Sequence, residues 1–378
     1  GLKDFKTEAD LRREIMEYAK EIETGLLEKL RVYDIELLIV NNIWSLGWNL
    51  SAGIGFAEVV RKLDIQAVGH HHDFYWEREK YSKVSCNFVK EVLQEYFPPD
   101  NISKHVVINN IANRNLKERK GLEAGVIPNV FNFDQQVWSK DKYNGDLRDR
   151  LGIAENDIVL LQATRVAERK AIELAVDLIA ALQKRKEELM GTLYNGYRFT
   201  NQSRIVLVLA GLPEADNEYI SFLKNLAADN GVELLWANEL IRADRIVENN
   251  KKYYSLWDIY TIADIITYPS ILEGWGNQFL EAIFSKRPVA LFEYPVFADE
   301  IKEKGFLYAS FGDKYILREN GYIRVADQII SRVTDKVIRY LKDIKYRNST
   351  VERNFELGRE FYSYQVIEKE LAGLLNDI

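Results

Sequence analysis

Short runs of apolar residues, each followed by a stretch with helical periodicity, recur along almost the whole chain. In the second half the strand-like runs are Ile158–Ala163, Arg204–Ala210, Val232–Trp236, Ile265–Tyr268 and Pro288–Phe292. Short runs without polar alternation are typical of parallel strands buried on both faces, and the helical stretches between them provide crossover connections. The pattern predicts an α/β chain in which ligands bind beyond the carboxyl ends of the strands.

The first half of the chain repeats this alternation with fewer strands. Its strand-like runs are 36–42, 65–69 and 104–110, and helices are predicted over 7–32, 50–63, 77–96 and 111–120. Three strands are fewer than a doubly wound domain usually has, and no opening strand with a glycine-rich turn precedes them. We therefore expect an amino-terminal domain that either is small or lacks its first strands.

A polar, irregular stretch over 131–150 marks the predicted change of domain. We predict an amino-terminal Rossmann-like domain over 1–135, a second Rossmann-like domain over 136–325 and carboxyl-terminal helices over 326–378. The second domain has further helices predicted over 170–186, 217–229, 255–263 and 276–285.

The composition of the 378 residues excludes several classes of protein. Hydrophobic residues make up 47% and charged residues 29%, a mixture too apolar for a disordered chain. The net charge of −7 argues against a nucleic-acid coat, and the single cysteine, Cys86, excludes an internal disulfide or a cysteine-built zinc site. No apolar run reaches the roughly 18–20 residues that span a bilayer, and the start lacks a signal-peptide core. We expect a cytoplasmic protein.

The stretch richest in chemistry is ADIITYPSILEGWGNQFLEAIFSKRP at 263–288. A buried strand leads into a loop containing Glu273, and a helix follows. The first turn of a helix presents unpaired N–H groups and the positive end of the helix dipole, which suit a phosphate. The carboxylate of Glu281, more than one turn into that helix, can accept two hydrogen bonds from a ribose diol. On these residues alone, surface charges and turn-forming glycines remain the simpler interpretation.

The same stretch resembles the carboxyl-terminal domain of retaining glycosyltransferases with the GT-B fold, especially family 4, glycosyl transferases group 1. The shared pattern is Pro-Ser, two residues, Glu-Gly-aromatic-Gly, then a second Glu eight positions after the first, followed by Ala. The resemblance covers roughly 100–378 and implies two Rossmann-like domains that face each other across a cleft. It implies that Glu273 contacts the donor sugar and Glu281 the nucleotide ribose. It also implies donor-binding positions at Gly274, Trp275, Gly276 and Asn277. Lys286 stands where the family usually has a glycine that serves a turn, so no chemistry is expected to be lost.

Two cations upstream are the predicted partners of the departing diphosphate. The sequence ATRVAERKA at 163–171 follows a strand and opens a helix, and it places Arg165 and Lys170 five residues apart. The family pattern is Gly-Arg, four residues, Lys-Gly, and here Thr164 and Ala171 replace the two glycines. The resemblance implies a catalytic role for both cations, because positive charge stabilises a departing nucleoside diphosphate. No metal and no cofactor are then required, and Arg169 is interpreted as a surface charge.

Three consecutive histidines, His70 to His72, follow the second strand of the first half. Successive strand residues point to opposite faces, so all three cannot easily aim at one metal ion, and we assign no metal site. The family places a His-Asp pair at the end of such a strand, which implies that His72 hydrogen-bonds the donor sugar near its 6-hydroxyl. Asp73, Glu77 and Arg78 are candidate acceptor contacts, although Glu77 and Arg78 fit an ordinary ion pair equally well.

These observations predict a retaining, metal-independent hexosyltransferase. Its substrates would be a nucleoside diphosphate sugar and the hydroxyl group of a sugar, a glycan or a small molecule. One alternative is a nucleotide-sugar epimerase or glycosyl phosphorylase on the same fold, and another is a nucleotide-binding fragment with little turnover. The basic stretch over 111–120 leaves peripheral membrane contact open, but a solvated helix face is the simpler interpretation.

Overall fold

The computed structural model describes residues 4–376, without the side chains of Glu79 and Lys80. The outermost residues of the predicted domain ranges, 1–3 and 377–378, lie outside the described residues. The chain forms two compact units. The first unit comprises the chain up to Asn129 together with the residues from Ile367 onward, and the second unit comprises Val130–Val366.

The first unit is built on a four-stranded parallel sheet in the sequential order β1-β2-β3-β4. Its strands are β1 (Leu37–Asn41), β2 (Gln66–His71), β3 (Lys104–Val107) and β4 (Ala124–Val126). Its helices are α1 (Glu8–Val32), α2 (Leu50–Leu63), α3 (Glu79–Ser82), α4 (Asn87–Tyr96) and α5 (Asn110–Lys120). Thr7 and Asn49 cap the first two helices by accepting hydrogen bonds from backbone N–H groups.

The second unit contains a six-stranded parallel sheet in the order β15-β14-β13-β5-β8-β9. In chain order, the elements up to β9 are α6 (Leu147–Arg150), β5 (Ile158–Gln162), α7 (Ile172–Lys184), α8 (Lys186–Leu189), β6 (Gly191–Thr192), β7 (Arg198–Phe199), β8 (Ile205–Leu209), α9 (Asn217–Asp229) and β9 (Glu233–Trp236). The elements after β9 are β10 (Ile241–Arg242), β11 (Ile246–Glu248), β12 (Lys251–Ser255), α10 (Leu256–Ile262), β13 (Ile265–Tyr268), α11 (Asn277–Phe284), β14 (Val289–Leu291), β15 (Ala309–Ser310), β16 (Ile316–Leu317), β17 (Ile323–Arg324), α12 (Asp327–Lys342) and α13 (Ile344–Tyr362). The last helix, α14 (Tyr364–Asn376), begins in the second unit, and its residues from Ile367 onward belong to the first unit. The strands β5, β8 and β13 are buried along their whole length, as expected for a sheet covered on both faces.

The α/β prediction is confirmed, and several elements match it to the residue. The helices over 50–63 and 217–229 and the strand Ile265–Tyr268 have the predicted bounds. The predicted helix over 77–96 is wrong in its continuity, because a break over 83–86 separates α3 from α4. The predicted carboxyl-terminal helices are three in number, since Asp343 caps a new helix and Ser363 is extended.

Within the described residues, no helix is long and apolar enough to cross a membrane.

Candidate active site

The strongest candidate site of the second unit lies where β5 and β13 end. These strands are parallel neighbours, with Leu160 opposite Ile265, so the loops that follow them emerge side by side at the carboxyl edge of the sheet. The amide of Ile271 in the second loop donates a hydrogen bond to the carbonyl of Arg169 in the first, at 3.0 Å. Sheet register and this backbone contact hold the two loops together.

An ion-pair cluster of Lys170, Arg169 and Glu273 connects the two loops. The ammonium group of Lys170 donates a hydrogen bond to Oε1 of Glu273, and both side chains are only 10% exposed. The Nη1 atom of Arg169 lies 3.5 Å from the other carboxylate oxygen of Glu273. The structure therefore brings together Lys170 and Glu273, as the sequence predicts, and adds Arg169, whose interpretation as a surface charge is wrong.

The helix α11 begins beside this ion pair, immediately after Gly276. Gly276 has a φ of +116°, a conformation that L-residues rarely adopt. A Cβ atom at this position would lie 2.0 Å from Oη of Tyr294, which donates a hydrogen bond to the carbonyl of Trp275 at 2.8 Å. Only glycine fits at this position. The N–H groups of a helix start of this kind suit an anion.

The remaining predicted donor positions differ in how their side chains lie. Asn277 is exposed at the first helical position, and Gly274 is half-buried in the loop. The ring of Trp275 is buried and packs edge-to-face on Tyr362, with the ring centroids 4.8 Å apart. The Trp275 ring thus contributes to the core and fixes the loop.

Glu281 lies on α11 and is held by Tyr260 of α10. The hydroxyl of Tyr260 donates a hydrogen bond to Oε2 of Glu281 at 2.5 Å. Burial raises the pKa of the Glu281 carboxyl, while the bond from Tyr260 and the charge of Lys170 act to lower that pKa. The hydrogen bond from Tyr260 therefore fixes the direction of the Glu281 carboxyl group.

A buried hydroxyl at the same edge has no partner within the described part of the chain. Oγ of Ser270, the second residue after β13, is fully buried and makes no hydrogen bond. A buried polar group of this kind is costly unless a ligand or water pairs with it. Ser270 was used in the sequence pattern only as a motif position, and its burial supports a ligand-contacting role.

Arg165 points elsewhere in this structure. Its side chain is 65% exposed and pairs with Glu214, with Nη1 2.9 Å from Oε1. The neighbouring Thr164 is packed against Gly211, which follows the adjacent strand β8. A Cβ atom on Gly211 would lie 1.9 Å from the Thr164 carbonyl oxygen, so glycine is required at this crossing.

In the first unit, the corresponding strand ends meet at His72. The backbone N–H of His72, just beyond β2, donates a hydrogen bond to Oδ1 of Asn42, just beyond β1, at 3.1 Å. The rings of His70 and His72 lie 4.8 Å apart on one side of the strand. Burial lowers the pKa of His72, and it lowers the pKa of His70 to about 4. Both imidazoles are therefore neutral near pH 7.

The middle histidine, His71, points to the opposite side and joins a buried chain. Its Nδ1 lies 3.1 Å from Oγ of Ser45, and its Nε2 lies 3.1 Å from Nδ1 of His105 on β3. Burial lowers the pKa of His71 well below its usual range and the pKa of His105 to about 4. His71 thus points away from His70 and His72, as the alternation of strand residues predicts.

The predicted acceptor residues are engaged with one another and with backbone. Nη2 of Arg78 contacts both carboxylate oxygens of Asp73, at 3.1 and 3.0 Å. Oε2 of Glu77 accepts a hydrogen bond from the amide of Phe74 at 2.9 Å, which closes the turn before α3. The ion pair that the sequence left open for Arg78 thus forms with Asp73 rather than Glu77.

Comparison with known proteins identifies the family. The profile of the family described as glycosyl transferases group 1 matches residues 144–355. Mannosylglucosylglycerate synthase of Petrotoga mobilis is 42% identical over 359 residues, which cover 95% of this chain and 82% of that protein. This chain belongs to the glycosyl transferases group 1 family. Mannosylglucosylglycerate synthase of Thermotoga maritima is 41% identical, over 98% of this chain and 83% of that protein.

Solved structures support the fold of this glycosyltransferase. A glycosyltransferase from Rickettsia africae superimposes with a TM-score of 0.60 at 12% identity, covering 96% of this chain and 81% of the other. HepE of Anabaena, solved in complex with UDP and glucose, superimposes with a TM-score of 0.59 at 14% identity, covering 94% and 81%. The predicted GT-B fold and the predicted glycosyltransferase family are confirmed.

Three residues that contact predicted site residues were missed by sequence reasoning. Arg169 was passed over because a charge at a helix start is usually solvated. Tyr260 lies in a different element from Glu281, and the buried Ser45 lies far in sequence from His71, so no spacing rule connects them. Within the described residues, no group of three or more His, Cys, Asp or Glu side chains is placed to hold a metal ion.

Proposed function

We propose that this glycosyltransferase transfers a mannosyl group from a nucleoside diphosphate mannose to a hydroxyl group of glucosylglycerate. Configuration at the anomeric carbon is retained, and no divalent metal takes part. The observation that carries the proposal is the Lys170–Glu273 pair beside the start of α11, because it joins a cation, an acid and a helix N-terminus at one strand edge. The two synthases at 41–42% identity support the choice of sugar and acceptor by the product that their names state.

In the proposed reaction, the bond between the anomeric carbon and the diphosphate oxygen breaks. A bond from the acceptor oxygen to the same carbon forms on the same face, and the acceptor proton passes to the departing diphosphate. Lys170, the neighbouring Arg169 and the first amides of α11 take up the negative charge as it develops. These groups already lie in place, so little reorganisation is needed during the reaction.

The remaining residues orient the substrates in this proposal. Glu281, directed by Tyr260, holds the ribose diol, and Glu273 contacts the donor sugar. The neutral imidazole of His72 hydrogen-bonds a sugar hydroxyl. Arg165 is the second cation proposed to contact the diphosphate. Its guanidinium group would leave the exposed carboxylate of Glu214 to do so, since exposed ion pairs contribute only about 0–1 kcal/mol.

The proposal is tested by incubating the full chain with glucosylglycerate and mannose carried by different nucleoside diphosphates. Mass spectrometry should detect an acceptor enlarged by one hexose, and the one-bond carbon–proton coupling at the new anomeric centre should report the donor's own configuration. Turnover should persist in EDTA. Inversion of configuration, or loss of turnover that added Mg²⁺ restores, would contradict the corresponding part of the proposal.

Other outcomes would favour the other enzyme classes. Formation of mannose 1-phosphate that depends on inorganic phosphate and needs no sugar acceptor would indicate a phosphorylase. Conversion of the donor into a different nucleotide sugar would indicate an epimerase. Nucleotide binding without any of these reactions would leave a binding fragment as the better description.

A further inference from the structure

A cavity of about 700 Å³ lies within the first unit, apart from the residues discussed so far. It is bordered by the first half of α1, by the loop between β1 and α2 and by the segment that leads into α4. The loop follows the carboxyl end of β1, so the cavity opens at the sheet edge where ligands of parallel sheets are usually bound. Its volume is within the range of pockets that take small molecules.

The most unusual residue of this cavity is Trp48. Its side chain is 77% exposed, although indole rings are usually well covered in folded proteins. The ring of Tyr81 lies beside it, with centroids 6.2 Å apart and planes inclined by 42°. Tyr18 of α1, also largely exposed, lines the same cavity. Three aromatic side chains therefore present ring surface to one space.

The exposure of Trp48 is built into a tightly packed loop. Trp44 is fully buried, and its Nε1 donates a hydrogen bond to the carbonyl of Gly53 at 2.9 Å. The carbonyl of Ser45 accepts a hydrogen bond from the amide of Tyr75 at 3.0 Å, which fixes the loop beside the His72 strand end. Gly47 has a φ of +68°, and a Cβ atom there would lie 2.5 Å from the Leu93 side chain. The backbone on both sides of Trp48 is held.

The polar border of the cavity carries both signs of charge. Lys83 provides an ammonium group, and α2 begins at the cavity with Asn49 as its cap, so the positive end of its dipole points to the same space. Glu14 of α1 provides a carboxylate that accepts hydrogen bonds from hydroxyl groups. Aromatic rings, a hydroxyl acceptor and positive potential together match a sugar that also bears a carboxylate.

We infer that this cavity binds the acceptor, a glycoside of a hydroxy acid. The apolar C–H face of its sugar ring stacks on Trp48, because the negative face of an aromatic ring attracts such polarised hydrogens. The acid group faces Lys83 and the start of α2, and sugar hydroxyls donate to Glu14. The inference rests on the proposed function in taking glucosylglycerate as the acceptor.

Binding of glucosylglycerate to the full chain, measured by calorimetry with and without nucleoside diphosphate, tests the cavity without requiring transfer. Trp48→Ala should raise the dissociation constant at least about tenfold, as loss of a central aromatic contact usually does. Tyr33→Ala is the matched control, since Tyr33 is an exposed aromatic of the same unit outside this cavity. It should leave the dissociation constant unchanged. Equal binding by wild type and the Trp48 variant, or no binding by wild type, would overturn the inference.

The charge assignment has its own test with glucosylglycerol, the neutral counterpart of the same acceptor. Lys83→Gln should weaken binding of glucosylglycerate about tenfold, on the scale of a lost charged hydrogen bond, and should leave glucosylglycerol binding unchanged. Equal weakening for both ligands would overturn the carboxylate assignment.

Kinetics separate failure of this cavity from failure of the proposed function. If transfer to glucosylglycerate occurs and Trp48→Ala changes neither its KM nor its binding, the cavity is wrong and the function stands. If no transfer occurs while Trp48→Ala abolishes glucosylglycerate binding, the reaction is wrong and the cavity stands.

Discussion

The side-chain clusters of the two parallel sheets differ in whether their buried ionisable groups are charged or neutral. In the second unit, Lys170 and Glu273 form a nearly buried ion pair with Arg169 beside it. In the first unit, burial holds His71 and His105 neutral in a chain of imidazoles. One sheet edge carries a nearly buried ion pair, whereas at the other edge burial keeps the histidines neutral and the ion pair of Arg78 and Asp73 is partly exposed.

Under the proposed function, this difference suits two kinds of recognition on one chain. A diphosphate group requires charge, and fixed cations at a low-dielectric edge stabilise it more strongly than solvated cations do. Neutral imidazoles suit directional hydrogen bonds to uncharged hydroxyl groups, because a buried unpaired charge would be costly. The following predictions test each half of the comparison.

The largest effect is expected for Lys170→Ala. Loss of this cation should lower kcat about 10²- to 10³-fold, the scale for removing one group that stabilises developing charge. The variant also leaves Glu273 with only the 3.5 Å contact to Arg169, and breaking a buried pair costs about 3 kcal/mol of folding free energy. Thermal unfolding of the double variant Lys170→Met/Glu273→Gln, which removes both charges, should recover much of that loss while kcat stays low. A Lys170→Ala enzyme with wild-type turnover would remove the charge argument from the second unit.

The neutral histidines predict a loss of stability in acid. Because the folded pKa of His105 is about 4 and the unfolded value is about 6.5, the unfolded chain binds the proton first as pH falls. Stability from this group is complete above about pH 6.5 and decreases below it, by roughly 2 to 3 kcal/mol at pH 4.5. Urea unfolding at pH 7 and 4.5 measures this difference. His105→Asn, which offers His71 an amide instead, should flatten the profile, and an identical profile in the variant would show that His105 does not titrate as inferred.

A smaller effect is expected for Tyr260→Phe. Without the hydroxyl, Glu281 loses a hydrogen bond worth about 1 kcal/mol, so the donor KM should rise about fivefold while kcat changes little. That bond lowers the carboxyl pKa, so its removal should move the acidic limb of the kcat/KM profile to higher pH. Glu281→Gln is the control that has no carboxyl to titrate. An unshifted limb in Tyr260→Phe would mean that Glu281 does not act as a carboxylate.

The smallest effect is expected for Lys286→Gly, outside both clusters. Lys286 follows α11 with a φ of +52°, a conformation that costs a non-glycine residue about 1 kcal/mol. Glycine relieves this cost but loses the exposed ion pair to Glu352 and the contact with the Phe355 ring, each worth about 0.5 kcal/mol. The free energy of unfolding should stay within about 1 kcal/mol of wild type, with unchanged kcat. A clear fall in kcat would extend the functional region beyond the charged cluster.

Much of the second unit could be predicted because its signals are local. The strand Ile265–Tyr268 is continuously apolar, and the helix at 217–229 starts after the capping residue Asp216. The strand β4, over Ala124–Val126, was missed because three small residues carry no periodicity. The break between α3 and α4 was missed because apolar residues continue through it.

The candidate site was predictable only where it coincides with a contiguous motif. Glu273 and Lys170 were identified from two separate motifs, and neighbouring parallel strands bring them together. The alternative partner of Arg165, Glu214, lies 49 residues away and carries no pattern that connects them. The lowered pKa values of the histidines depend on burial, which the sequence indicates only coarsely.

The crossing of Thr164 and Gly211 shows that a glycine requirement can belong to a pair of loops. The family pattern has glycine where this chain has Thr164, yet the crowded carbonyl of Thr164 leaves room for no side chain at 211. Thr164 taken alone departs from the family pattern, although the chain has a glycine at the neighbouring strand end. Because the crowding atom is a backbone oxygen, the requirement for glycine at 211 holds whatever side chain stands at 164.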